Sequence, residues 1–155
     1  MQENQQVSRR ASFELSFLPD DAFALFSPEG ERRWVEGWDP VPVFPGTIEF
    51  ARNTVFRTTS SGGEALWTIL DADFLARRAE YLRVAPESHT ARIVVTIDPL
   101  GETRSQVTVN YIVTTFGERA ANVLQDFTEQ SFATKMIQWQ QKTSACLERE
   151  EGQRH

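Results

Sequence analysis

Lys135 is the residue whose position most needs a chemical reason. Placed at 100° per residue, the stretch Gly117 to Glu150 carries Leu124, Phe127, Phe132, Met136, Trp139 and Cys146 along one side of a helix. Asn122, Asp126, Glu129 and Gln140 fall on the other side, and Lys135 lies near the centre of the apolar arc, flanked by Thr128 and Ser131. An ammonium left unpaired on a buried face costs several kcal/mol. Lys135 therefore reads in one of two ways. It is the polar end of a mostly apolar pocket, fixing a ligand's carboxylate or phenolate, or it pairs with an acid such as Glu80 or Glu49 or snorkels to the pocket mouth. Tyr81, Arg83 and Tyr111 are the other polar groups on strand-like segments that could face the same interior, although the pattern from Ala79 to Val84 leaves its inward face undecided. With Trp38, Trp67, Phe127, Ser131 and Trp139 they make up the candidate ligand-binding set.

Other chemistries find less support. Trp34 and Trp38, four apart, either guard a ligand entrance or pin their loop to a sheet. His89 follows Glu87-Ser88 in a turn and reads as exposed. It has no orienting acid and nucleophile beside it, and no His or Cys pair has metal-ligand spacing, so neither a triad nor a metal site is expected. Asp71 and Asp73 read as a solvated strand end before Arg77-Arg78. Gly62-Gly63 lacks the lysine and following helix of a phosphate loop. Cys146 reads as a small buried residue, and no cofactor is expected.

These residues need elements to hold them. In 155 residues, 40% hydrophobic and 25% charged, one domain with a sizeable core is expected. The first ten residues read as a polar, frayed arm with neither a secretory signal nor a lipid anchor, which makes the cytoplasm the default location. No apolar run is long enough to span a membrane, and a net charge of −6 disfavours nucleic acid as a partner. The expected partner is a small hydrophobic molecule; a homodimer stays open.

In chain order, Ala11 to Phe17 alternates as a strand with one wet face. An aspartate after Pro19 caps a short helix, and Ser27-Pro28-Glu29 opens a second that runs to about Val35. Trp38 to Gly46 is extended because its prolines exclude helix. Strands follow at Ile48–Phe50, Thr54–Thr58, Ala65–Leu70, Ala79–Val84, Ala91–Ile97 and about Thr103–Phe116. Turns fall at Ser60-Ser61-Gly62-Gly63 and Pro86-Glu87-Ser88, and a hairpin at Asp98-Pro99-Leu100-Gly101. The long helix from Gly117 closes an α+β chain of seven strands.

That order, with the segments LFSPEGERRWVEGWDPVPVFP, ALWTILDAD and DFTEQSFATKMIQW, resembles the START-like helix-grip superfamily (SRPBCC) over Ala11 to Leu147. This grouping includes lipid-transfer, pollen-allergen-like and polyketide cyclase-like proteins. SPEGERRWVEGWDP resembles a bacterial branch of it. The resemblance implies a curved antiparallel sheet gripping the C-terminal helix. It also implies a hydrophobic cavity between them, with its mouth at the two short helices and the hairpin loops. It implies no shared catalytic motif. Three functions follow as expectations. The first is binding of a small hydrophobic ligand, lipid or aromatic. The second is a cyclase- or hydratase-type enzyme in which Lys135, Tyr111 or Arg83 orients a carbonyl. The third is a co-chaperone-like interaction module whose cavity is filled by its own Phe and Trp side chains.

Overall fold

The computed structural model describes residues 4–60 and 63–153. Seven strands form one antiparallel sheet: β1 (Gln6–Leu15), β2 (Val41–Phe44), β3 (Val55–Ser60), β4 (Gly63–Asp73), β5 (Arg78–Ala85), β6 (His89–Gly101) and β7 (Arg104–Thr115). Their spatial order is β1-β7-β6-β5-β4-β3-β2. Two short helices, α1 (Pro19–Ala24) and α2 (Pro28–Glu31), separate β1 from β2, and α3 (Glu129–Gln153) follows β7 after a 3₁₀ turn, Val123–Phe127.

Strict alternation sets which side chains meet α3. Ala79 and Tyr81 on β5, Ala91, Ile93, Val95 and Ile97 on β6, and Val107, Val109, Tyr111 and Val113 on β7 are all buried. The register carries one inward row from Phe56 across Trp67, Arg83 and Ala91 to Val113. Arg83 therefore faces in with Tyr81, and this settles the face that the sequence leaves undecided. Glu80 faces out, buried beneath Arg78 and Arg92, which both bond to its carboxylate.

Several boundaries differ from the sequence reading. Residues 6 to 10, expected in the frayed arm, pair with β7 from Gln6↔Thr114 to Arg10↔Asn110. Their polar side chains conceal a ladder held by backbone groups. Ile48–Phe50 is not a strand, because Phe50 instead wedges between Phe23, Phe74 and Tyr81. The second strand lies earlier, at Val41–Phe44, and as a sheet edge it tolerates the N–H missing from Pro42. The Asp98–Gly101 hairpin is displaced, since β6 runs through a bulge to pair Gly101 with Arg104. The turn expected at Ser60 to Gly63 lies partly outside the described residues.

The helices also shift. The N-cap of α1 is Leu18, without a side-chain bond, and Asp20 and Asp21 occupy the first turn instead of capping it. Ser27 caps α2 by accepting from the Gly30 N–H at 2.9 Å, but α2 stops at Glu31. Gly30 is required where it stands, because a Cβ there would lie 1.9 Å from the Ala24 carbonyl oxygen. The long helix starts at Glu129 and not at Gly117. Thr128 accepts from the Ser131 N–H at 3.0 Å, the N-cap geometry. Its 25 residues span about 37 Å. Phe132, Met136, Thr143, Cys146 and Leu147 form its buried stripe.

Candidate functional site

Aromatic side chains fill much of the space between α3 and the sheet. Phe26, Trp34 and Trp139 pack with centroids 5.4 to 6.1 Å apart, and Tyr111 meets Phe127, Phe132 and Trp139. Open volume remains at the end of the sheet beyond Trp67. A cavity of about 300 Å³ there is lined by Trp38, Thr58, Ala65, Trp67, Arg83, Ala85 and His89, among others. It exists because the inward positions beside Arg83 carry small side chains, Ala65 and Ala85, where large ones would close it. The exposed acids Glu36 and Glu64 stand on its rim.

Arg83 lies with its guanidinium 5.3 Å above the Trp67 ring, and its Nη2 is 3.2 Å from His89 Nε2. A guanidinium only donates, so His89 Nε2 accepts and the ring is neutral, its proton on Nδ1 donating to Ser88 Oγ at 2.8 Å. The pKa direction agrees. Burial first, then the charges of Arg83 and Lys135, push His89 down to about 4. His89 is thus a half-buried partner of Arg83 and not the exposed turn residue that its sequence context predicts.

Lys135 sits with Nζ 4.4 Å from the Phe127 ring centroid and 5.7 Å from that of Tyr111. Burial, followed by Arg83, lowers its pKa, with Asp126 opposing. Glu80, one acid suggested for it, is taken by Arg78 and Arg92. Glu49, the other, is exposed and makes no ion pair among the described residues. Glu31, at the end of α2, is half-buried, and burial pushes its carboxyl up to about 8 against the pull of Arg83. Burial likewise raises the Tyr111 phenol to about 12. Neither the Glu31 carboxyl nor the Lys135 ammonium has a hydrogen bond or ion pair among the described residues. Every sealed side-chain nitrogen or oxygen there does have a partner, so these two heads border open space.

The remaining candidates divide. Trp38 donates to the Pro28 carbonyl and packs edge-on to Trp67 at 5.3 Å, so it both anchors its loop and walls the cavity. Trp34 donates to the Leu25 carbonyl at 2.7 Å inside the core. Tyr81 donates to the Phe26 carbonyl at 2.7 Å, which commits its hydroxyl to tying α1 to the sheet. Phe127 and Trp139 belong to the aromatic packing around Lys135 and Tyr111, and half-buried Ser131 stands in the first turn of α3. Thr128 is spent on the helix cap. Asp71 pairs with Arg52 and Arg78 outside. Glu31 and His89 are the site residues that sequence reasoning missed. A signal for Glu31 was present in Gly30, a glycine in a helical turn that marks close packing.

No protein-family model and no curated protein sequence matches the chain. Solved structures share its fold, a curved antiparallel sheet gripping a C-terminal helix. Norcoclaurine synthase from Thalictrum flavum, in complex with dopamine and hydroxybenzaldehyde, superposes with a TM-score of 0.66 at 11% identity, over 93% of this chain and 87% of that one. An uncharacterised protein from Rhizobium leguminosarum gives 0.68 at 15% identity, over 95% and 97%. Ara h 8.0201 gives 0.65 at 14% identity, over 93% and 99%. No helix is long and apolar enough to cross a membrane.

Proposed function

We propose that the protein binds a small, largely hydrophobic molecule at the open end of the sheet, with the molecule's polar group turned inward toward Arg83, which lines the cavity, and Lys135, which lies behind it. The observation that carries this reading is the Lys135 ammonium. It is half-buried against ring faces, has no hydrogen bond or ion pair among the described residues, and Asp126 offsets only part of its desolvation. Cation–π contact recovers about 1–2 kcal/mol, less than such burial costs. A bound anion or acceptor supplies the difference. Walls of Trp38 and Trp67 over a floor of Ala65 and Ala85 suit an aromatic or aliphatic body, and about 300 Å³ suits a compact one. The norcoclaurine synthase complex holds aromatic molecules on the same fold, which adds support of the analogical kind.

Calorimetry with neutral 2-naphthamide tests this reading. Saturable one-to-one binding is expected, and its loss in the cavity-filling variant Ala85→Leu at unchanged melting temperature places it. No heat of binding in the wild type would overturn the reading.

One observation favours catalysis as a second reading. Burial pushes the Glu31 carboxyl up to about 8 and lowers Lys135, and Arg83 acts on both, which gathers a weak acid and a weakened ammonium around one guanidinium. Incubation with an arylethylamine and an aryl aldehyde, followed by chromatography, checks it. Product formation that disappears in Glu31→Gln supports an enzyme; turnover no faster than buffer leaves binding alone.

A further inference from the structure

Arg83 stands apart from the other half-buried arginines of the described residues, Arg9, Arg77 and Arg78. Arg9 donates to the carbonyls of Phe127 and Ser8, Arg77 to Asp20, and Arg78 to Asp71 and Glu80. Each cation of that group has an oxygen. Arg83 has instead a neutral imidazole on one N–H and an indole beneath its plane. The Tyr111 hydroxyl is a third polar neighbour of the guanidinium, and these uncharged groups orient it without consuming its charge.

The orientation is itself supported from below. His89 is fixed by Ser88 Oγ, and Ser88 is buried in the turn between β5 and β6. That turn is clamped by bonds from Phe116 N–H to the Ser88 carbonyl, 2.8 Å, and from Arg119 N–H to the Glu87 carbonyl, 2.6 Å. Gly117 allows the clamp, since a Cβ on it would come within 2.8 Å of the Glu87 backbone, and its φ of +81° suits glycine. Such a series of fixed parts, ending in an arginine with no anion, is how a receptor for an anion is built.

We propose that Arg83 is the receptor for a ligand carboxylate, that Ser88 and His89 are its positioning residues, and that the cavity therefore takes flat aromatic monocarboxylates. This deepens the reading that the cavity binds an apolar molecule, and it rests on that reading. A carboxylate offers two oxygens to the planar fork of an arginine, whereas a phenolate offers one. The alanines beside Arg83 leave room for a ring, and Trp67, already stacked with Phe56 at 5.7 Å, gives the cavity a rigid wall. Glu64 on the rim is turned to Arg57 at 3.7 Å.

The test compares 2-naphthoate with 2-naphthamide by calorimetry at pH 7.5, on the full chain. Wild type is expected to bind the acid about 10- to 100-fold more tightly than the amide. Arg83→Met should remove most of that preference, read as the ratio of the two affinities, and Arg83→Lys, which keeps charge but not the fork, should retain little of it. His89→Phe should weaken the acid alone, and His89→Gln, whose amide oxygen can accept from Arg83, should restore it; a merely structural histidine would change both ligands together. Should Arg83→Met fail to fold, Arg83→Lys and the two His89 variants carry the comparison. Amide binding without preference for the acid, or a preference that survives in Arg83→Lys and His89→Phe, overturns the Arg83 proposal and leaves hydrophobic binding standing. Failure of both ligands on wild type overturns the binding reading and the Arg83 proposal with it.

Discussion

At the scale of single residues, the interior holds titratable groups whose charged forms burial disfavours, and pH exposes them. Glu31 has a folded pKa of about 8 against an ordinary 4.5. Its contribution is fully present below pH 4.5 and is lost as pH rises through 8, because ionising it in place is unfavourable. Glu31→Gln should therefore be more stable than wild type by about 2 kcal/mol at pH 9 and equal to it at pH 4.5, as measured by urea unfolding. His89 works in the opposite sense. Its folded pKa of about 4 lies below the ordinary 6.5, so its contribution is present above pH 6.5 and is lost as pH falls toward 4. Lys135→Met removes a desolvated charge while keeping most of the stem, so unfolding free energy should stay level or rise. Affinity for an acidic ligand should fall at the same time, with its neutral analogue unaffected. A loss of about 3 to 5 kcal/mol in stability would instead reveal a hidden structural partner.

At the scale of elements, caps and close approaches fix where the site residues stand. Thr128 ends the 3₁₀ turn and starts α3, which sets the phase that brings Phe132, Lys135 and Trp139 to the inner side. Thr128→Ala should cost about 1 kcal/mol of stability. Gly30→Ala should cost more, about 3 kcal/mol, since the new methyl meets the Ala24 carbonyl and pushes α2 and Glu31 away from the sheet. Chemical unfolding of both variants checks the order. The strands from β4 to β7 were legible because alternation marks a half-buried strand. The edge strand β2 was not, because its four residues include a proline and its pairing comes from β3. The apolar spacing in Ile48 to Phe50 misled for a related reason: loop residues that anchor in a core look like strand residues. Gly117 reads as a helix start, yet it serves the turn that holds Ser88, a contact between segments 30 residues apart in sequence.

At the scale of the whole molecule, a sheet and a helix grip a core made largely of aromatic rings, leaving open space where the inward residues are small. The fold was readable from the order of elements and the long amphipathic stretch. Arg83, Tyr111 and Lys135, expected from the sequence as binding residues, lie close enough in the interior for Arg83 to act on the other two. Glu31 and His89 were not readable, since a charged residue in a short helical turn and a histidine beside a turn look solvated until the tertiary fold covers them. The Phe and Trp packing also moves the open volume away from the middle of α3 to the end of the sheet beyond Trp67. One titration tests that placement directly. The fluorescent probe 1-anilinonaphthalene-8-sulfonate, added to the native protein at pH 7.5, should saturate at one molecule per chain, be displaced by 2-naphthoate, and fail to bind Ala85→Leu at an unchanged melting temperature. Binding that never saturates, or that persists undiminished in folded Ala85→Leu, would contradict a ligand site at the open end of the sheet.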